Sequence, residues 1–484
     1  MISALLLSLS TAIAAPTEIG GYFRVMTRPD LQGGAGRLGY WNLYGRLLNE
    51  GPYATLDFRF KLLERTPSNA PWTSLYARIE GGSIGNSDSQ NGSLSQLRLS
   101  QTYVLAGNVL IKDVVWQLGT LDTYFGDLGL YDMRPAQIFF ETVGVSARYQ
   151  KQKFEILVGA GDSGYAIKRD NYNTILTAGG TVRYRPINGL EIGFGGQYRY
   201  EPGVRGNQAA PYATPNVDYE DYVRGEIVQN YMLENPFEAI EWPDPELRFA
   251  TSGKLIGYLG FGGFGPVIWN NFFISYESLH PKDPTSESFQ GQTYNIYTAD
   301  LTDERTSLVI GNELQLKIIP NRFDIAWAML YGNSEDGDND IVVSEEDRIF
   351  YSSVLRTQFY MTPHLHFLLE GSVAQEISKN GNMFREHADS IFANTNSVPD
   401  TRGLEYGDTD TRSTIQGKGG LVLNPMGTGI FNRPSLRLLY GIQYSNQNNA
   451  FGNRFVENLD QYNQFGNVEQ HVHQLIALET EAWF

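Results

Sequence analysis

Three aromatic residues far apart in the chain, Tyr22, Tyr53 and Trp483, each occupy the polar side of a run in which apolar and polar residues alternate. Around Tyr53, one side carries Ala54, Leu56, Phe58, Phe60 and Leu62, and the other carries Tyr53, Thr55, Asp57, Arg59 and Lys61. Arg24 shares the side of Tyr22. Rings set among charges on a polar face suit one chemistry in particular. A sugar has an apolar ring face that stacks on aromatics and an equator of hydroxyls that bond to charged and polar groups. Residues of these types laid along a path would guide a sugar without transforming it.

Other constellations point elsewhere and are weaker. Glu479 and Glu481 look like the paired carboxylates of a glycosidase, but they stand on the last strand of the chain. No serine sits in a nucleophile-type turn, so a barrel lipase or protease has no evident centre, and catalysis is not expected. His364 with His366, and His471 with His473, put two imidazoles on one face without a third ligand. An acidic run from Glu335 to Asp347 reads as a solvated loop, although oxygen clusters of this kind also hold calcium. No metal or cofactor is expected.

The elements that must position the aromatic residues are strands. The alternation recurs in Phe323, Ile325, Trp327 and Met329, in Leu365, Phe367, Leu369 and Val373, and in Leu436, Leu438, Tyr440 and Ile442. Periodicity alone does not say whether the apolar face turns inward, as in a sandwich, or outward, as in a membrane barrel. The connections break the tie. Short joins such as 66–71, 150–153, 186–189, 260–265, 320–321, 362–363 and 424–434 alternate with long polar stretches at 201–246, 277–305, 333–347, 375–412 and 447–471. Short turns at one end and long loops at the other are the pattern of an outer-membrane barrel.

Eighteen strands are expected, near 18–27, 53–63, 72–80, 97–105, 113–120, 143–149, 155–160, 174–184, 190–200, 247–259, 267–276, 306–318, 322–332, 348–360, 365–374, 413–424, 435–446 and 472–484. The last ends on Phe484 and closes the barrel on the first, which removes both edges. Composition agrees: of 484 residues, 51 are Gly, 29 Tyr and 26 Phe, and only 19% are charged. A net charge of -17 disfavours nucleic acid as a partner. Residues 1–15, with an apolar stretch at Leu5–Leu9 and small residues before Pro16, read as a signal peptide, leaving 16–484 as one barrel domain. The absence of cysteine means that no disulfide supports the exported chain.

Five short places resemble the maltoporins, trimeric eighteen-stranded sugar channels of the Gram-negative outer membrane. They are Gly21-Tyr22-Phe23-Arg24; Arg46 to Glu50 followed by Tyr53-Ala54; Leu97-Arg98; Asp127 and Asp132 after Gly119; and Phe431-Asn432-Arg433-Pro434 together with the terminal Trp483-Phe484. The resemblance implies an all-β transmembrane barrel with an inward-folded third loop, in a homotrimer surrounded by outer-membrane lipid. It implies an aromatic slide of Tyr22, Tyr53, Phe272, Phe431 and Trp483. Flanking it would be a polar track and constriction of Arg24, Arg46, Arg98, Asp127, Asp132 and Arg134. The chain departs from the family in three ways. Thr55 replaces a glutamate, no aromatic residue is evident between Gly81 and Gln96 for the second loop, and Arg134 stands where an aromatic is usual. These departures imply a wider or more cationic pore, with an anion or acidic-oligosaccharide channel as the alternative to a maltodextrin channel.

Overall fold

The computed structural model describes residues 17–29, 32, 38–39, 41–63, 70–82, 97–164, 174–202, 212–214, 250–280, 285–289, 292–297, 304–336, 348–378, 411–446 and 471–484. The strands are β1 (Thr17–Thr27), β2 (Tyr53–Leu63), β3 (Trp72–Gly82), β4 (Leu97–Gly107), β5 (Val114–Tyr124), β6 (Gln137–Lys151) and β7 (Phe154–Asp162). Next come β8 (Leu176–Tyr184), β9 (Leu190–Tyr200), β10 (Tyr212–Thr214), β11 (Thr251–Phe264), β12 (Val267–His280), β13 (Thr285–Phe289) and β14 (Gln292–Tyr297). The series ends with β15 (Arg305–Ile319), β16 (Phe323–Asp336), β17 (Arg348–Tyr360), β18 (Leu365–Ser378), β19 (Thr411–Leu423), β20 (Ser435–Ser445) and β21 (Val472–Trp483). A short helix, α1 (Trp41–Tyr44), lies between β1 and β2.

Eighteen of these strands form one antiparallel sheet, and β1 pairs with β21 from Tyr22↔Trp483 to Thr27↔Leu478, which closes the sheet into a barrel. β10, β13 and β14, which belong to the β9–β11 and β12–β15 connections, make a separate small sheet where only long loops were expected. The proposed signal segment lies outside the described residues, as does most of the acidic loop.

The direction of the side chains decides between sandwich and membrane barrel. On β20, Ser435, Arg437, Leu439, Gly441, Gln443 and Ser445 are buried inside, while Leu436, Leu438, Tyr440, Ile442 and Tyr444 are exposed outside. β17 and β18 repeat this, with Leu355, Phe359, Phe367, Leu369 and Val373 outside and Arg356, Glu370 and Glu376 inside. An apolar band this large would be a liability in water, whereas lipid matches it. A closed barrel also leaves no unpaired backbone at its edges within the bilayer.

Several strands run further than the alternation extends. β12 continues to His280, β16 to Asp336 and β18 to Ser378, because backbone pairing continues where both faces have become polar. The turn expected at 260–265 lies later, since β11 stays paired through Phe264↔Val267. β6 begins at Gln137, earlier than the pattern indicates, because Phe139 takes a left-handed φ of 60° and the β5 register slips between Leu121 and Thr123.

Two connections pack on inward-facing wall residues. In the β5–β6 connection, Phe125 lies over Gly193 of β9 and stacks on Tyr258 of β11, and the Asp127 carbonyl accepts from Asn271 of β12. Leu128 fills the space over Gly311 of β15, the Leu130 N–H donates to Glu313, and the Tyr131 hydroxyl meets Ser352 of β17. The β1–β2 connection covers the next stretch of wall. Tyr44 donates to Glu376, Lys418 donates to the Tyr44 carbonyl, and Asn49 donates to Gln416. The two connections meet where the Arg46 N–H donates to the Leu130 carbonyl, 2.8 Å away.

Candidate functional site

The two connections make the interior asymmetric. Against β17–β19 they bury complete ion clusters: Glu370 between Arg356 and Lys418, and Glu376 between Arg348 and Arg412. All but Arg348 are buried from solvent, and the Arg348 side chain is only 11% exposed. On the wall from β2 to β4 the inward face is buried at Tyr53, Thr55 and Ser74 but stays accessible elsewhere, with side-chain exposures of 26% at Asp57, 27% at Arg78 and 67% at Arg98. A solute crossing the barrel therefore meets the partly exposed Tyr22 of β1, the accessible residues of β2 to β4 and Trp483 at the end of β21.

At that wall, three of the five aromatic residues expected to line a path come together. Strand register sets Tyr22 beside Trp483 on β21 and beside Thr55 on β2, with Tyr53 two pairs further along and opposite Arg24. The Tyr22 ring lies 5.9 Å from Tyr53 and 6.5 Å from Trp483, forming a row across three adjacent strands. Trp483 is 52% exposed, so its face is open. Polar partners hold the row in place. Tyr22 donates to Glu481 (2.8 Å) and accepts from Arg46 (3.0 Å), while Tyr53 donates to Glu80 (2.9 Å). The Arg433 guanidinium lies 5.7 Å from the Trp483 ring, and Thr55 accepts the Tyr22 N–H.

Phe272 is a correction: it points outward and is 38% exposed on the apolar face. Its neighbours Asn271 and Phe273 point inward, Asn271 to bond Tyr258 and Phe273 to pack fully buried beside it. Apolar residues on both sides of β12 hid this direction in the sequence. Phe431 packs apart from the row, against Gly129 and 6.0 Å from the Arg356 guanidinium.

The expected charges are brought together only in part. Arg24 is buried, donates to the Gly51 carbonyl, pairs with Glu50 and lies 3.9 Å from Asp132. Arg46 bridges Glu50 (3.2 Å) and Glu481 (3.0 Å). Burial pushes the Glu50 carboxyl up to about 8, against the pull of Arg24 and Arg46. Asp132 is also desolvated, but Arg46 and Arg24 outweigh that and hold it below the usual carboxylate range. Arg98 pairs with Glu80 at 2.9 Å, away from this knot. Arg134 is exposed and lies 4.1 Å from the centre of the Tyr124 ring, and Asp127 is exposed.

Sequence reasoning missed the hub of this wall. Glu481 binds Arg46, Arg433 and Arg437, and Glu479 binds Arg28 and Arg437. These glutamates, which resembled a glycosidase pair, are saturated by guanidinium groups. Their spacing marked a polar face, but the arginines that meet them come from four other places in the chain. His366 is bonded to Gln358 and to the Pro363 carbonyl, and His364 to the Asn424 carbonyl. Among the described residues, no group of three or more His, Cys, Asp or Glu is placed to hold a metal.

A closed barrel with an apolar exterior and a charged interior defines the class: a transmembrane β-barrel of the Gram-negative outer membrane. No protein-family model matches the sequence, and no curated protein matches it. Among solved structures, the outer-membrane channel DcaP of Acinetobacter baumannii is similar at a TM-score of 0.42 and 10% identity, covering 98% of each chain. The outer-membrane protein OprD of Pseudomonas aeruginosa is similar at 0.41 and 9%, covering 97% of this chain and 94% of its own. Wzi of Escherichia coli, described as a carbohydrate-binding barrel involved in group 1 capsule assembly, is similar at 0.39 and 11%, covering 98% and 86%. Likeness at this level assigns neither solute nor residue roles.

Proposed function

We propose that the barrel is a passive channel that admits sugars by diffusion along the row of Tyr53, Tyr22 and Trp483. The observation that carries this reading is the row itself: three rings from adjacent strands, with Arg46, Glu481 and Arg433 within reach of the same rings. A sugar ring stacks on one member, exchanges hydrogen bonds between water and the flanking side chains, and passes to the next. Arg24 and Arg46 with Asp132 form the charged side of the passage, and Arg98, Asp127 and Arg134 extend it. No bond is made or broken, and no cofactor takes part. The leader at 1–15 and a homotrimeric assembly belong to the same proposal; N-terminal sequencing of the mature protein and cross-linking in detergent test them.

The charge of the wall favours a second reading in which the sugar is acidic. Five guanidinium groups, on Arg24, Arg28, Arg46, Arg433 and Arg437, face four carboxyls, on Glu50, Glu479, Glu481 and Asp132, and burial raises the Glu50 carboxyl. Liposome swelling separates the two. Proteoliposomes should swell in neutral disaccharides if the row sets selectivity, and faster in an acidic disaccharide of equal size if the arginines do. Swelling in neither refutes the channel reading.

A further inference from the structure

The accessible wall carries a second pair of rings that the row does not include. Tyr76 of β3 and Tyr103 of β4 are directly opposite in the strand register and stack, with ring centroids 4.7 Å apart and planes at 22°. Both point into the barrel, on the same parity as Arg78 and Glu80. Tyr76 donates to Asp57 at 2.6 Å, and Arg78 grips the same carboxylate through two nitrogens at 2.6 and 3.2 Å. Neither connection that covers β17–β19 packs on these residues, and both rings are only partly buried. The Tyr103 hydroxyl makes no hydrogen bond among the described residues.

The position of the pair continues the path. Tyr22 stands level with Thr55 on β2, and Tyr76 stands level with Arg59, four residues further along β2. At about 3.3 Å per residue the second pair lies roughly 13 Å along the wall, toward the end of β2 at Leu63. Its charge differs from that of the row. Asp57 and Arg78 neutralise one another, and Arg59 beyond them faces Glu18 at 3.6 Å. A neutral surface of ring faces edged by a prepositioned carboxylate and guanidinium fits a hydroxyl-rich ring better than an ion.

We infer that Tyr76, Tyr103, Asp57 and Arg78 form a second saccharide-binding station, specific for neutral sugar rings. It rests on the proposed sugar pathway and receives rings after the row has passed them. A chain of several sugar units spans both stations at once, so affinity rises with oligosaccharide length beyond what the row alone supports.

Current-noise analysis of single channels in a planar bilayer, with maltohexaose as the probe, tests this. Replacing Tyr103 by Ala should weaken maltohexaose block roughly two- to tenfold, the range expected for one aromatic contact, and Tyr103→Phe should restore it. Tyr103→Leu fills the space without a ring and should behave like the Ala variant; it also serves if Tyr103→Ala fails to fold, as judged by heat-modifiable gel mobility. Unchanged maltohexaose affinity in Tyr103→Leu, together with weakened affinity in Tyr22→Ala, overturns the second station and leaves the row standing. Absence of maltohexaose block in the unaltered protein overturns both.

Discussion

Replacing Glu481 by Gln has a cost that follows from counting partners. Glu481 is 1% exposed and binds three guanidinium groups and the Tyr22 hydroxyl. Two of the three arginines keep a second acidic partner: Arg46 keeps the Glu50 carboxyl at 3.2 Å and the attraction of Asp132, and Arg437 keeps Glu479 at 3.7 Å. Arg433 has no other ion pair among the described residues and retains the carbonyls of Ile430 and Asn432 and the face of the Trp483 ring. The substitution therefore strands one buried cation, which costs about 3 kcal/mol, the lower end of the range for breaking a buried pair. It also adds one positive charge to the wall beside Trp483. Thermal unfolding of the purified barrel should shift downward, and the reversal potential in a salt gradient should move toward anions. Glu481→Gln with unchanged melting and unchanged reversal potential would refute the hub.

The carboxyl of Glu50, raised to about 8, makes selectivity depend on pH. A carboxyl raised on folding stabilises the protein below its unfolded range and loses that contribution as pH rises through the folded value. Thermal stability should therefore fall as pH rises from about 4.5 to about 8, anion preference should fall as Glu50 ionises near 8, and Glu50→Gln should flatten both profiles. Glu313 accepts the Leu130 N–H and so ties the β5–β6 connection to β15. Glu313→Ala should loosen that connection and increase conductance or its noise, measured in a planar bilayer. Phe272 faces lipid, so Phe272→Leu should leave sugar block unchanged, while Phe272→Arg should cost about 2 kcal/mol or more in refolding titrations into lipid.

What could be read from the sequence followed the regularity of the alternation. β20 and β21 alternate without a break, and their bounds and inward faces were legible, as was the closure of the last strand on the first, though not the register that sets Trp483 on Tyr22. The start of β6 was not, because a left-handed Phe139 and a slipped register interrupt the period of two. Phe272 shows the limit from another side: where neighbours on both faces are apolar, hydrophobicity gives no direction, and only the bonds of Asn271 reveal it. The charged hub was half visible. Glu479 and Glu481 announced a polar face, but pairing with Arg28, Arg46, Arg433 and Arg437 depends on closure and on the inward course of the β1–β2 connection. The Tyr76–Tyr103 stack arises from the β3–β4 register, which no local pattern encodes.

The central claim is that solute moves by stacking along Tyr53, Tyr22 and Trp483. Single-channel conductance in a planar bilayer, with a neutral maltodextrin titrated against the unaltered protein, Tyr22→Ala and Trp483→Ala, tests it most directly. Reversible block that weakens roughly two- to tenfold in each variant is the predicted result, since each removes one aromatic contact. Open channels that neutral sugar never blocks, or block as strong in both variants as in the unaltered protein, would contradict it.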